Sequence, residues 1–252
     1  MPSPAQPGSN TGRLARLQGT PEIAPFSRMA IGGGIGLGGV NLQAAVNAAN
    51  HLNIRGVGNF FKYTDNNITA NGFNASASIN LASAGVSLDY FPWAHHGFRV
   101  SPGVLFYNQN ALDATIVAAG GTSFTLNNVT YYSSKTNPVT GTAGLHLHSN
   151  AADPTITLGW GNMIPRNGGH WSFPVEIGAA YTGQPKVAAA LVSGQVCSDP
   201  AGTLNCQNVV GNASVNSNLQ AEIAKKQNDI QPLQMYPVLS FGVAYSFGAK
   251  VR

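Results

Sequence analysis

From Phe26 onward, large apolar residues alternate with small ones. The clearest run is 236–247. Leu239, Phe241, Val243, Tyr245 and Phe247 occupy one face, and Ser240, Gly242, Ala244 and Ser246 the other. A period of two marks a β-strand, not a helix. The large face is too continuous to meet water, and the small face too empty to be a packed core. A lipid side and a lumen side account for both. The pattern recurs at 171–182 (Trp171, Phe173, Val175, Ile177, Ala179 and Tyr181 outward), 154–161 and 98–107. At 73–91 the apolar set passes from Phe73–Leu81 to Ala82–Tyr90, which implies a β-bulge near Leu81 and Ala82. Weaker strands at 28–38, 40–48 and 52–64 complete the set. The expected fold is all-β: an antiparallel, up-and-down transmembrane β-barrel of about eight strands.

Composition narrows the choice. Charged residues make up 9% of the chain and hydrophobic residues 43%, with 30 glycines. An average soluble domain carries about 25% charged residues. No apolar stretch reaches the roughly 18 residues of a transmembrane helix. No export signal is visible at the start, so an exported barrel implies that one has been removed. Residues 1–25 read as a flexible leader and 26–249 as the barrel. Short turns are expected at 49–51, 92–97 and 165–170. The connections on the opposite side run over 65–72, about 119–141 and about 195–235, two of them long. This alternation puts the short turns and both termini on the periplasmic side. Tyr90, Trp93, Phe98, Trp160, Trp171, Phe173, Tyr245 and Phe247, together with Phe91, fall beside the short turns and are expected to form one interfacial girdle.

Candidate chemistry is sparse. The lumen face holds Asp89, Arg99 and Glu176, and Arg55 with less certain phase. Buried charges must pair, and Asp89 with Arg99, which flank one turn, are the expected pair. Cys197 and Cys206 lie in a Gly/Asn/Asp/Pro stretch at a spacing that suits a disulfide across an exposed loop. Residues 219–231 have helix-forming composition and end at Pro232, which predicts a short helix in the last external loop. His146 and His148 share a face if they lie on one strand, but metal sites need a third ligand, for which His170 and Asp153 are weaker candidates. The run Gly32–Gly38 lacks the Lys and Ser/Thr of a phosphate loop, and no serine stands in a nucleophile elbow. Net charge is +4 with scattered basic residues, so nucleic acid is not an expected partner. No cofactor is expected.

The 236–247 strand resembles the C-terminal strand by which bacterial outer-membrane proteins are recognised for assembly, although Gly248-Ala-Lys-Val-Arg252 follows the terminal aromatic. The segment Gly159-Trp-Gly-Asn-Met-Ile-Pro-Arg-Asn-Gly-Gly-His-Trp-Ser-Phe173 is similar to uncharacterised small outer-membrane barrels of acidobacterial type. The resemblance covers about residues 26–247 and implies a fold, an outer-membrane location, lipid contact and use of the barrel-assembly machinery. It implies no catalytic residues. The expected role is structural, surface-binding or assembly-related through the external loops, with the chain itself or other surface components as partners. The alternatives are a narrow channel for small or hydrophobic solutes and a lipid-modifying enzyme. A non-enzymatic protein is expected.

Overall fold

The computed structural model describes residues 24–93, 96–167 and 169–248. Residues 1–23 of the expected leader and 249–252 lie outside them. The elements are β1 (Arg28–Gly36), β2 (Gly39–Ala49), β3 (Leu52–Ala70), β4 (Phe73–Tyr90), β5 (Arg99–Asn108), β6 (Ala111–Ala118), β7 (Ser123–Leu126), β8 (Val129–Ser133), β9 (Val139–His146), β10 (Asp153–Trp160), β11 (Trp171–Ser172), β12 (Val175–Tyr181), β13 (Lys186–Ser193), β14 (Gln195–Cys197), β15 (Gln207–Asn208), α1 (Ala213–Ile230) and β16 (Met235–Gly248).

A ring of 8 strands closes in the order β4-β3-β2-β1-β16-β12-β10-β5, with β5 pairing back to β4. All its neighbours are antiparallel. The ring leaves no open edge in the barrel wall. Its polarity is reversed relative to a soluble protein. Outward positions carry Ile31, Leu42, Phe60, Leu88, Ile156, Ile177 and Phe241, all exposed, whereas Arg55, Asp89, Arg99, Asn41, Asn47 and Asn53 are buried within. Water would penalise such an exterior, and lipid would not. "Near end" below means the end where β1 begins and β16 finishes.

The barrel wall does not stop at the far end. β4 pairs with β5 over its second half and with β6 over its first half. β6 pairs with β9, and β9 with β13. The far half of β4 with β6, β9 and β13 therefore continues one side of the barrel as a raised wall. This explains the change of apolar face in β4. The β3–β4 register is unbroken across Leu81 and Ala82, and the irregularity falls instead against β5 at Ala84 and Gly85. Above that level the apolar residues of β4 point inward, as Ile79 and Leu81 do. Below it they point outward, as Val86 and Leu88 do. The expected bulge at 81–82 is thus a change of environment within one regular strand.

Other boundaries also move. The expected loop 65–72 is ladder as far as Ala70, closed by Asn71 and Gly72 at positive φ (50° and 82°). The region 119–141 contains the β7–β8 hairpin, turned by Asn127 and Asn128 in the same left-handed region. The helix begins at Ala213, six positions before the expected 219, because the Asn212 side chain accepts the Val215 N–H at 3.1 Å and caps it. Strand 171–182 divides at Phe173 and Pro174, and Trp171 and Ser172 pair with Tyr245 and Ala244 as β11.

The raised wall carries its own core. Ala118, Val139, Val196, Val209 and Val215 pack with Phe73, Phe124, Tyr131 and Leu191. Helix α1 is stitched to the edge of β13, where Gln227 accepts the Val187 N–H (2.9 Å) and donates to the Pro185 carbonyl (2.6 Å). Cys197 and Cys206 form a disulfide across the β14–β15 loop. Within that loop the Asp199 carboxylate accepts the N–H groups of Leu204 (2.6 Å) and Thr203 (2.9 Å), which hold it below the usual carboxylate range. A depressed pKa stabilises the turn at neutral pH, and this stabilisation is lost as pH falls through the folded value. Closing a loop of this size contributes about 3 kcal/mol in the chain-entropy model. Reduction is expected to raise amide exchange across 195–208 by two orders of magnitude or more while the ring strands keep their protection, as read by exchange mass spectrometry.

Candidate functional site

The lumen of the ring holds four buried charges on four strands: Arg55 on β3, Asp89 on β4, Arg99 on β5 and Glu176 on β12. Each lies at an inward position of its strand's alternation. Arg55 grips Asp89 through two nitrogens, with Nε at 2.9 Å from Oδ2 and Nη2 at 3.0 Å from Oδ1. The same Arg55 lies 2.8 Å from Glu176 Oε2. Arg99 donates to that same Glu176 oxygen at 2.8 Å. Ser101 adds a hydroxyl to Asp89 at 2.7 Å. The expected pairing of Asp89 with Arg99 is the weakest contact of the group, at 3.8 Å. Adjacency along the turn suggested it, but the cross-lumen reach of two long arginines decides the pairing.

Arg99 and Glu176 are not on neighbouring strands. β10 runs between them, and its Gly159 is the residue paired with both. A methyl group at Gly159 would stand 2.7 Å from Arg99 Cζ. The missing side chain therefore lets the guanidinium cross one strand to reach its carboxylate. Arg99 also donates to the Gly161 carbonyl. Two cations and two anions give the cluster no net charge, and together they occupy the narrow bore.

Below the cluster, toward the near end, the bore is filled by the chain itself. The segment 161–167, which leads into the short turn expected at 165–170, folds inward. Met163 and Ile164 are fully buried and pack against Ala30, Ala45 and Ala244. Asn162 accepts from Asn53 at 2.9 Å and from the Ile164 N–H at 2.9 Å. Arg166 donates to Asn53 (2.8 Å) and to the Ala49 carbonyl (3.1 Å). Arg28 donates to the carbonyls of Pro165 (2.5 Å) and Gly169 (3.1 Å) and to the Ser246 hydroxyl (3.0 Å). These residues were not among the expected site residues. The available signals were Met163 and Ile164 standing outside any alternation and Arg28 alone on an inward position of β1.

Above the cluster lies a small cavity of about 70 Å³. Gln43, Asn59, Ser83, Ser87, Thr155 and Thr157 line it, with Arg55 and Glu176 as its floor. The buried hydroxyls of Ser87 and Thr157 have no protein hydrogen-bond partner there.

The remaining candidates are placed as follows. Trp93, Phe98 and Trp160 form a chain of ring contacts at 6.0 and 6.5 Å, and Trp171 stands edge-on to Tyr245 at 5.0 Å. Tyr90, Phe173 and Phe247 are exposed at the same end. Phe91 is not part of this exterior group. It is fully buried, with its carbonyl 2.6 Å from His51 Nδ1 and the Arg166 guanidinium 6.0 Å above its ring. β9 ends at His146, so His148 does not share its strand. Asp153 accepts from Asn108 at 2.6 Å, and His170 stacks on Tyr245. Among the described residues no group of three His, Cys, Asp or Glu side chains could hold a metal ion.

Breaking one member of a buried cluster leaves an uncompensated charge, at a cost of about 3–5 kcal/mol. Glu176→Ala is therefore expected to lower the urea midpoint of the detergent-folded barrel strongly. Combining it with Arg99→Met, which leaves the Arg55–Asp89 pair intact, should cost less than the two single changes summed. Gly159→Val is expected to destabilise by about 1–3 kcal/mol through overpacking against Arg99. Removal of Arg99 (Arg99→Ala) should relieve part of that loss in the double variant.

No protein-family model and no curated relative matches the chain. The resemblance to acidobacterial barrels thus rests on its sequence segments alone. Among solved structures, the crystal structure of Acinetobacter baumannii CarO superposes with a TM-score of 0.54 at 20% identity, covering 88% of this chain and 98% of that one. The crystal structure of Acinetobacter baumannii CarO2 gives 0.56 at 19% identity, covering 87% and 98%. At these identities the likeness concerns the fold: this chain has the barrel architecture of the CarO structures over almost their full length.

Proposed function

We propose that this chain is an integral β-barrel of a bacterial outer membrane whose bore is closed and whose working surface is the raised wall at the far end. The observation that carries this reading is the reversed polarity of the ring, with neutralised charge inside and an apolar exterior outside. The likeness to CarO barrels supports it on the side of fold. The unequal ends support an orientation. The near end has compact connections, which suits a periplasmic position. The far end carries three strands that continue the ring's sheet, a separate four-stranded sheet and a helix, which suits an extracellular position.

A surface-binding or assembly role fits this distribution better than an open channel. The quartet and the inward-folded 161–167 segment occupy the bore in series, and an eight-stranded ring has room for side chains rather than for an aqueous channel. The cavity above them, about 70 Å³, has room for only a few waters. Nothing in the charge cluster has the geometry of an acid–base pair aimed at an open substrate site, which favours a non-enzymatic role.

The purified chain in detergent is expected to migrate differently before and after boiling, as folded outer-membrane barrels do. A chain that stays soluble without detergent and shows no shift would overturn the membrane reading. In planar bilayers the inserted protein is expected to give no steady conductance. Steady channels from the unaltered protein would overturn the closed-bore reading and favour the narrow-transporter alternative.

A further inference from the structure

The outward face of the raised wall differs from the outward face of the ring below it. On β3 the outward series runs Ile54, Gly56, Gly58, Phe60 and then Lys62. The strand register carries the Lys62 position across the wall: Lys62 pairs with Asn80, Asn80 with Ala111, Ala111 with His146 and His146 with Lys186. These residues therefore form one cross-strand row on one face, since directly paired residues share a side of the sheet. With strands about 4.8 Å apart, the row is roughly 19 Å long. It has a lysine at each end and a histidine beside the second lysine.

The row also marks a boundary. Along β3, Lys62 is the first outward position beyond the exposed Phe60. Along the β12–β13 path, Lys186 is the first strand residue beyond the exposed Tyr181. Both lysines are exposed, and neither has an ion-pair partner among the described residues. Farther up the same face the wall turns hydroxylic, with Thr64, Ser76, Ser78, Thr115 and Thr142 around an open hollow of about 530 Å³. One carboxylate, Asp113, shares this face against the two lysines.

We infer that this row is a docking surface for the phosphate-bearing headgroups of anionic lipids in the leaflet at the far end. The inference rests on the membrane reading above, because only an embedded barrel brings lipid to this face. Two features select the occupant. The row is continuous with the apolar exterior, so the molecules that touch Phe60 and Tyr181 with their chains carry their headgroups past Lys62 and Lys186. The unpaired lysines complement an anion, and the hydroxyl-lined hollow offers hydrogen-bond donors to phosphate or sugar oxygens.

The test compares the full chain with the Lys62→Gln/Lys186→Gln double variant. Both are inserted in vesicles of phosphatidylcholine containing a minor fraction of phosphatidylglycerol, and retained lipid is counted by native mass spectrometry. A lysine near an anionic surface contributes about 1 kcal/mol, so the preference for phosphatidylglycerol is expected to fall about thirtyfold in the double variant. Boiling-dependent migration should be unchanged. Lys225→Gln/Lys226→Gln on α1 is expected to leave the preference intact. A preference equal in unaltered protein and double variant would overturn the inference, as would competition by inorganic phosphate as effective as that by lipid. If the unaltered protein inserts but shows no preference, this inference alone fails. If it does not insert, the membrane reading fails with it.

Discussion

Four charges in a bore too narrow to hydrate them separately set the terms for the rest of the ring. Arg55, Asp89, Arg99 and Glu176 come from β3, β4, β5 and β12, so the cluster ties one arc of the wall together across its interior. Glu176 Oε2 lies 2.8 Å from both arginines, and Asp89 is held by one arginine at two points and by Ser101. Such a cluster is favourable only when every member is present and the geometry is good. That requirement reaches outward. Gly159 must lack a side chain for Arg99 to pass. Around the cluster the inward positions are mostly small or polar, and most large apolar residues of the ring face outward.

The same constraint explains why the two ends differ. Toward the near end the bore is filled by the chain's own 161–167 segment, with Met163 and Ile164 packed on alanines and Arg28 and Arg166 bound to carbonyls of the near-end connections. Toward the far end the ring opens on one side. Its β3–β4 hairpin extends, β6, β9 and β13 continue the sheet, and the apolar face of that sheet turns inward under α1 and the small β7–β8–β14–β15 sheet. Within the single strand β4 the apolar residues change faces where its partner changes from β5 to β6.

All eight ring strands were legible in the sequence because lipid on one side and a narrow lumen on the other impose a strict large–small alternation. The four charges were legible as inward residues for the same reason. Their pairing was not, since it depends on ring closure and on the reach across β10, which no local pattern encodes. The inward fold of 161–167 was missed because its segment reads as an ordinary Pro/Asn/Gly turn; only the apolar Met163–Ile164 pair hints otherwise. The wall strands β6, β9 and β13 were hidden by their own composition. Alanine, threonine and glycine on both faces leave little contrast, and Ala188, Ala189 and Ala190 in β13 carry no period at all.

The central claim is that the outward apolar face of this ring meets lipid while its charges lie within. The chain has three tryptophans, Trp93, Trp160 and Trp171, and all are exposed on the outside of the near end. Their fluorescence in vesicles made with lipids brominated just below the headgroup is the most direct test. Strong quenching by the brominated chains, with weak quenching by a water-soluble quencher, is expected. Emission untouched by bromine and fully open to the aqueous quencher would contradict the account.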